Sequence, residues 1–291
     1  MSGQSGARRR SPHRTAPGAL AGAISGWGPA AAEPPQPPGD ELVPRELFGE
    51  DVYDYFYSES LEQAADGEAR LIADLGGLGA EAKVLDAPCA DGRIAVRLAA
   101  MGCRVVGIDI SERFIAKAQR RSGANGVRFE VGDIRALAYE GEFDCVLNWF
   151  TSFGYFDADT NRAVLRRYRR ALRPGGRLIL ERRNPARLRR TVEAGGGTSA
   201  YVMDRNLDLL VDRVSIVGER SRSERFVVRD GRVRKLEFWL EMFEGDSLTT
   251  ALREAGFQEI EILDERGQSL SDDSYRMIAV ARADANPPPA P

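Results

Sequence analysis

Residues 84–133 contain three short apolar runs, each of which ends in an aspartate: VLD (84–86), VVGID (105–109) and FEVGD (129–133). Such runs are typical of the strands of a parallel sheet, which are buried on both faces. Doubly wound folds bind their ligands at the carboxyl ends of the strands. We therefore expect Asp86, Asp109 and Asp133 to lie at one edge of the sheet, where they suit a ligand rich in hydroxyl and amine donors, such as a nucleoside.

Strand and helix patterns alternate around these runs. The predicted elements are strands at 83–87, 104–109, 127–131, 143–149 and 177–182, and helices at 61–79, 92–101, 111–121 and 158–172. This alternation predicts an α/β fold with a doubly wound parallel sheet. Strand-like segments then follow one another directly at 207–219, 222–230 and 232–243, which predicts an antiparallel insert after the fifth strand. A helix at 246–255 and strands at 257–263 and 275–282 complete a seven-stranded sheet.

Composition changes along the chain predict its organisation. Residues 1–40 are rich in Gly, Ala, Pro, Ser and Arg, and they predict a disordered leader. Residues 286–291 predict a disordered tail. Between them we expect one domain (41–285), with an N-terminal lid at 41–60 and the antiparallel insert at 184–245 placed over an acceptor site.

The net charge of the 291-residue chain is −3, so no global charge attracts it to nucleic acid or to an anionic membrane. No apolar run is long enough to span a bilayer. Arg8–Arg10 followed by a mild stretch at 16–32 resembles a secretory signal, but Gly and Pro interrupt that stretch, which favours a tail or an over-long gene start. These features favour a cytoplasmic protein with no membrane partner.

The cysteines and the histidine limit the possible chemistry. An odd, sparse set of cysteines in apolar contexts (Cys89, Cys103 and Cys145) favours a reducing compartment and no zinc site. The only histidine is His13, in the predicted leader. Catalysis by an imidazole is therefore not expected.

The motif VLDAPCADGR (84–93), together with the strand-end aspartates, resembles the class I S-adenosylmethionine-dependent methyltransferases. In that family a glycine-rich loop lets the backbone approach the methionyl part of the cofactor, and the next helix offers its N-terminus to the carboxylate. The family's glycines fall at the second, fourth and sixth positions after the acidic residue. This chain has Pro88, Ala90 and Gly92 at these positions. The methyl group of Ala90 narrows the space in which the loop backbone would approach the cofactor. A strand-to-helix turn without a ligand would show the same pattern.

The resemblance implies S-adenosylmethionine as the cofactor and no metal. Asp109, which follows Asp86 by 23 residues, is placed to accept hydrogen bonds from ribose hydroxyls, although a helix cap ahead of Ser111 would also explain it. Asp133 would accept from the adenine amine while its neighbour packs on the ring; a turn aspartate is the alternative. The implied cofactor-binding residues are Asp86, Ala87, Pro88, Cys89, Ala90, Gly92, Asp109, Ile110, Asp133, Ile134, Asn148 and Trp149.

The aromatic loop (148–156, sequence NWFTSFGYF) follows the fourth strand. It resembles the loop that borders the sulfonium and the acceptor in small-molecule methyltransferases, including the sugar amine N-methyltransferases and the glycine N-methyltransferase group, which also carry antiparallel insertions after the fifth strand. Trp149 or Tyr155 is expected to contact cofactor or acceptor, with core packing as the alternative. Tyr53 best matches a tyrosine that reaches the active site in the sugar amine enzymes.

The resemblance implies methyl transfer to nitrogen or oxygen of a small molecule. Without histidine, Tyr155, Glu181 or Tyr53 would take or relay a proton, or the enzyme would bind a free amine from solution. Two arginine clusters motivate an RNA or protein substrate as the alternative. The arginines of 162–173 are predicted to form the solvated face of a helix. Those of 182–190 lie at the edge of the predicted acceptor pocket and could bind an anionic acceptor.

A further alternative is a cofactor-binding protein without transfer activity, which the departure at Ala90 motivates. Nucleic acid is not the expected partner, because the net charge is slightly negative. The sequence identifies neither the acceptor nor the oligomeric state.

Overall fold

The computed structural model describes residues 45–121 and 127–284. The predicted leader (1–40), the predicted tail (286–291) and residues 41–44 of the predicted lid lie outside the described residues. No described helix combines the length and the low charge that crossing a membrane requires.

The chain alternates strands and helices up to the fifth strand and again after the insert. The strands are β1 (Lys83–Asp86), β2 (Arg104–Asp109), β3 (Val127–Val131), β4 (Phe143–Asn148), β5 (Leu172–Arg183), β6 (Ser199–Arg205), β7 (Asp208–Val217), β8 (Arg220–Arg229), β9 (Arg232–Glu241), β10 (Phe257–Leu263) and β11 (Arg276–Ala283). The helices are α1 (Ser58–Gly76), α2 (Ala95–Ala100), α3 (Glu112–Arg121), α4 (Ala158–Ala171), α5 (Pro185–Ala194) and α6 (Gly245–Glu254). A 3-10 helix (Arg45–Phe48) and a π-helix (Glu50–Tyr57) precede α1, and a 3-10 turn (Ile134–Ala136) follows β3.

The main sheet has seven strands in the order β10-β11-β5-β4-β1-β2-β3. Strands β1 to β5 pair in parallel, and β11 is antiparallel to both of its neighbours. The predicted fold class, a seven-stranded doubly wound sheet of the methyltransferase type, is confirmed. Because β1 lies between β2 and β4, the strand order reverses at β1, and the loops after β1 and β4 flank the crevice in which doubly wound folds bind ligands.

The central strands read as apolar runs because both faces of the sheet are covered. Val84, Leu85, Val146 and Leu147 are all completely buried. One core lies against α4 and α6, and the other lies against α1, α2 and α3. Burial on both faces explains why the bounds of β1, β2 and β4 could be predicted almost to the residue.

The insert (184–245) differs from the prediction. It contains a four-stranded antiparallel sheet in the order β6-β7-β8-β9, one strand more than expected, and it begins with α5. The sequence signal for β6 is weak because no residue of that strand is fully buried. The signal for α5 is weak because only Pro185 and Val192 are buried on it; its start is fixed locally by Asn184, whose Oδ1 accepts from Ala186 N at 3.1 Å.

The strand predicted to start at 177 starts earlier. Strand β5 already pairs at Leu172, opposite Phe143, and the pairing then jumps to Arg177 opposite Cys145. The intervening residues 173–176 therefore form a bulge, and Gly175 accommodates it with a φ of +76°.

The π-helix, which forms most of the described lid, runs directly into α1, so the predicted break at residue 60 is absent. Val52 and Phe56 on the π-helix pack against Leu210 and Val227 of the insert. On the other side, Asp54 accepts from Arg113 at 2.7 Å and pairs with Lys117 at 2.5 Å, both on α3. The lid therefore connects the insert to the main sheet.

Gly154 in the aromatic loop makes the closest backbone approach to the insert. Its carbonyl oxygen accepts from the Glu241 amide at 2.9 Å, and a Cβ built at Gly154 would lie 2.7 Å from the Glu241 carbonyl oxygen. The φ of Gly154 is +103°, which side chains rarely adopt. A glycine is therefore required where the aromatic loop meets β9.

We expect Gly154→Ala to destabilise the protein more than Gly197→Ala does. Gly197 has a similar φ of +100° but open space around its Cβ position, so it reports backbone strain alone. That strain costs about 1–2 kcal/mol, and the overlap with Glu241 should add about 1–3 kcal/mol. Urea unfolding of both variants measures the difference; equal losses of stability would contradict the proposed steric role.

Candidate functional site

A cavity of about 760 Å³ lies at the carboxyl edge of the main sheet. Its floor is formed by the loops that follow β1, β2, β3 and β4. The lid covers it from one side, and the inward face of the insert covers it from the other. The cavity thus lies at the edge where the sequence predicted the ligand site.

The cavity wall includes nine of the twelve residues predicted to bind the cofactor: Asp86, Pro88, Cys89, Ala90, Asp109, Ile110, Asp133, Ile134 and Trp149. Ala87, Gly92 and Asn148 are not on the wall. The Asn148 amide is completely buried and donates to the Tyr168 hydroxyl at 2.9 Å, so it contributes to the core beneath the site. A Cβ at Gly92 would lie 2.6 Å from the Phe129 ring, so this glycine serves close packing of the loop.

Asp109 connects two parts of the floor. Its Oδ2 accepts from the Ala90 amide at 2.9 Å, and its Oδ1 accepts from the Ser111 amide at 2.8 Å. Burial raises the pKa of this carboxyl, and the two backbone hydrogen bonds oppose that rise. An ionised carboxylate has about four lone-pair sites, so Asp109 retains acceptor capacity toward the cavity, as ribose hydroxyls would need.

Asp86 is a buried carboxylate that the protein itself does not satisfy. Only 2% of it is exposed, and among the described residues no N–H or O–H group donates to it. Burial raises its pKa to about 8, although the nearby Arg93 cation opposes this. A buried acid without a protein donor at the edge of a cavity fits a cationic ligand group, such as the ammonium group of a methionyl moiety.

Asp133 has a different role in the structure from the one expected first. Its carboxylate accepts from Arg135 Nε at 2.9 Å and from Arg135 Nη2 at 2.6 Å, and Oδ1 caps the following turn through the Arg135 amide. The alternative interpretation, a turn aspartate, describes these contacts. Contact with an adenine amine remains a prediction for this residue.

Four tyrosines line the cavity: Tyr201 of the insert and three from the lid and the aromatic loop, Tyr53, Tyr57 and Tyr155. Burial raises the pKa of Tyr53 and Tyr155, and it raises the pKa of Tyr57 to about 12. All three phenols are therefore neutral near pH 7 and act as hydrogen-bond donors or acceptors. Tyr55 lies on the opposite side of the π-helix and donates to Asp208 Oδ2 at 2.7 Å, which ties the lid to the insert.

Glu181 lies behind the aromatic loop rather than on the cavity wall. Its carboxylate accepts from the Phe150 amide at 2.7 Å and from Arg276 Nη2 at 2.6 Å, and only 2% of the residue is exposed. Phe150 and Thr151 both have positive φ, at 64° and 55°, so the loop needs such an anchor. These contacts make Glu181 a positioning residue for the aromatic loop.

The insert contributes polar groups that sequence reasoning missed. Arg225 donates from Nε and Nη2 to the two carboxylate oxygens of Asp212, both at 2.6 Å, and Nη2 also lies 2.9 Å from the Tyr57 hydroxyl. All three residues line the cavity. The alternation of side chains between the two faces of a strand could have indicated these groups, because Ser221, Ser223 and Arg225 fall on one face of β8.

Comparisons with known proteins agree with this geometry. Residues 84–176 match a family model described as a methyltransferase domain. The chain is 33% identical over 104 residues to the putative methyltransferase YqeM of Bacillus subtilis; the match covers 34% of this chain and 41% of that relative. The chain therefore spans less than half the length of this relative.

Two solved structures resemble the fold over most of its length. The CcbJ methyltransferase from Streptomyces caelestis has a TM-score of 0.68 at 23% identity, with coverage of 85% of this chain and 98% of that one. CalS10 from Micromonospora echinaspora, solved with S-adenosylmethionine bound and described as an amino pentose methyltransferase, has a TM-score of 0.58 at 22% identity, covering 77% and 92%. These likenesses establish the fold.

The fold and the domain match together confirm the resemblance to the class I S-adenosylmethionine-dependent methyltransferases. The match to the methyltransferase-domain model covers residues 84–176. Both findings support S-adenosylmethionine as the cofactor, in agreement with the carboxylates found on the cavity floor.

We expect Asp109→Ala to weaken S-adenosylmethionine binding by about 1.5–3 kcal/mol, because hydrogen bonds to a charged acceptor are lost. Isothermal titration calorimetry measures the affinity, and thermal unfolding checks that the variant is folded. Asp74→Ala, at an exposed aspartate on α1, is the matched control. Unchanged affinity in a folded Asp109→Ala protein would refute the ribose assignment.

We expect Ala90→Gly to leave cofactor affinity unchanged or to improve it. Ala90 has a φ of +47°, a conformation that costs a non-glycine residue about 1–2 kcal/mol. Glycine removes that strain and widens the loop, but it adds about 0.5–1 kcal/mol of chain entropy to be lost on folding. Calorimetry and urea unfolding should show small changes, and a loss of affinity above about tenfold would mean that the Ala90 methyl is needed.

We expect Asp86→Asn to stabilise the ligand-free protein near pH 8 while weakening cofactor binding. The folded-state pKa of about 8 lies above the ordinary value of 3.8, so the unfolded chain loses this proton first as pH rises. Wild-type stability should therefore fall between about pH 4 and pH 8 by at least about 1 kcal/mol more than that of the variant. Urea unfolding at both ends of this range tests the prediction, and parallel pH profiles would rule it out.

Proposed function

We propose that this protein transfers a methyl group from S-adenosylmethionine to nitrogen or oxygen of a small molecule. The observation that carries the proposal is the covered cavity, with carboxylates from the strand ends on its floor and the insert as its roof. Its volume, about 760 Å³, falls within the range of roughly 300–1,000 Å³ that is usual for small-molecule sites.

Bound S-adenosylmethionine would supply an electrophilic methyl group on a positively charged sulfur. Asp109 would hold the ribose hydroxyls, and Asp86 would pair with the methionyl ammonium group. The indole Nε1 of Trp149 is buried on the wall and has no hydrogen-bond partner among the described residues, so it offers a further donor. The lid and the insert exclude water, which strengthens these electrostatic contacts.

The remaining contribution to catalysis is alignment of the acceptor. With pKa values raised by burial, Tyr53 and Tyr155 hold their protons near pH 7 and orient an acceptor by hydrogen bonding. Neither phenol is a strong base in this state, and Glu181 is engaged with Arg276. An amine acceptor would therefore bind as the free base, and catalysis would come from proximity and in-line alignment.

An RNA or protein substrate would need an open basic groove. The arginines that motivated this alternative are largely engaged by the protein itself: Arg189 pairs with Glu244 at 2.5 Å, Arg190 pairs with Asp273 at 2.9 Å, and Arg169 donates to the Gly256 carbonyl at 2.9 Å. A covered cavity and paired arginines favour a small acceptor. CalS10, which resembles this chain in fold, is described as an amino pentose methyltransferase, and this supports the same choice.

The test is incubation of the purified protein with methyl-labelled S-adenosylmethionine and a fractionated host extract. We expect mass spectrometry to find the label in low-molecular-weight products, and we expect Asp109→Ala to lower the yield. Label in RNA or protein fractions would promote the polymer alternative. Cofactor binding without any labelled product would instead favour the cofactor-binding protein without transfer activity.

The predicted cytoplasmic location remains a prediction.

A further inference from the structure

Arg183 is a cation that extends into the cavity from the last position of β5. The residue lines the cavity and its side chain is exposed there. Its amide donates to Thr151 Oγ1 at 3.0 Å, which fixes the backbone of Arg183 against the aromatic loop. The guanidinium has no hydrogen bond or ion pair with any residue that the structure describes.

The carboxylates that could neutralise Arg183 already bind other arginines. Arg276 lies directly opposite Arg183 in the β5–β11 pairing. Arg276 forms an ion pair with Glu181, in which Nη2 donates to Oε2 at 2.6 Å. Asp212, on the insert, is held by both donors of Arg225 at 2.6 Å. Asp212, the carboxylate that attracts Arg183 electrostatically, is thus engaged by another cation, and so is Glu181 on the same strand as Arg183.

This arrangement is unfavourable for the protein alone. Like charges directly opposite each other in a sheet destabilise it, and burial together with the Arg276 charge lowers the pKa of Arg183. The preceding residue, Arg182, is 3% exposed, and its Nε and Nη1 have no partner among the described residues. Two neighbouring arginines on a cavity wall, neither with an ion-pair partner among the described residues, indicate that a ligand supplies the missing negative charge.

The charges divide the cavity into two ends. The cofactor end carries Asp86 and Asp109; the arginines on the same wall, Arg93, Arg113 and Arg135, pair with Glu68, Asp54 and Asp133. The opposite end, which we name the arginine end, carries Arg182, Arg183, Arg225 and Arg276. Arg225 pairs with Asp212 and Arg276 pairs with Glu181 behind the wall, whereas Arg182 and Arg183 have no ion pair among the described residues. The arginine end lies under the insert, on the side proposed for the acceptor.

We propose that the methyl acceptor carries an anionic group, a carboxylate or a phosphate, which the guanidinium of Arg183 binds. This inference rests on the proposed function, because it names the class of small molecule that would be methylated. A guanidinium suits both groups, since its donors match two oxygens at once. The anion would neutralise the arginine end and leave the nucleophilic nitrogen or oxygen directed toward the cofactor end.

The first test measures binding of inorganic phosphate and of acetate to the protein saturated with S-adenosylhomocysteine, by calorimetry. We expect at least one anion to bind the wild type, and Arg183→Gln to weaken it by at least about tenfold. The matched control is Arg190→Gln, at an exposed arginine whose partner is Asp273 on the surface. It should bind the anion as the wild type does.

Phosphate-selective binding would assign a phosphorylated acceptor, and acetate-selective binding would assign a carboxylate. No anion binding to the wild type, or equal binding to wild type and Arg183→Gln, would overturn the inference. Saturation with S-adenosylhomocysteine separates the two proposals. If that compound does not bind the wild type, the proposed function fails. If it binds equally well to wild type and Arg183→Gln, the variant is folded and only the anion site is being tested.

The second test compares turnover of paired acceptors that differ in one charge. Amino acids are offered beside their carboxamides, and sugar phosphates beside the unphosphorylated sugars, with methyl-labelled cofactor. We expect anionic members to be preferred by the wild type and to lose at least about tenfold in kcat/KM in Arg183→Gln, while neutral members do not change. Preference for the neutral member of each pair would overturn the inference.

Discussion

The hydrogen bonds that Asp109 accepts hold the floor of the site together. One carboxylate binds the amide of Ala90, in the loop after β1, and the amide of Ser111, at the start of α3. Two loops from neighbouring strands are thereby fixed relative to each other. Burial raises the pKa of the Asp109 carboxyl. In return, Asp109 offers an acceptor where the ribose hydroxyls would lie. The strained backbone of Ala90 and the packing of the lid against the loop both depend on this junction.

The cavity above that floor carries carboxylates at the strand ends and arginines under the insert. The lid and the insert cover these two groups of charges. Carboxylates at the strand ends suit a cofactor whose sulfur and ammonium groups are cationic. Arginines under the insert suit an acceptor of the opposite sign. In water both preferences would be weak, but charges interact more strongly where solvent is excluded. The lid helix, tied to α3 by Asp54 and to the insert by Tyr55, provides that exclusion.

The sequence predicted the parts of the structure that are governed by continuous burial. Strands β1, β2 and β4 consist mainly of buried apolar residues, so their bounds, and Asp86 and Asp109 at the ends of β1 and β2, could be read from the sequence. Strand β3 is the edge strand and buries only Phe129. It did not predict β6 or α5, because these elements bury few side chains: no residue of β6 and only Pro185 and Val192 of α5 are buried. Glu181 carries a carboxyl group that could act in catalysis, but its partners are the Phe150 amide, 31 residues away, and Arg276 on β11, 95 residues away, so its contacts could not be read locally.

The central claim is that the strand-end carboxylates form a binding site for S-adenosylmethionine. A crystal structure of the protein with S-adenosylhomocysteine tests it most directly. We expect the ribose hydroxyls within hydrogen-bond distance of Asp109, the amino group beside Asp86, and the sulfur directed toward Tyr155 and the arginine end. Ligand bound elsewhere, or a ribose that does not contact Asp109, would contradict the account.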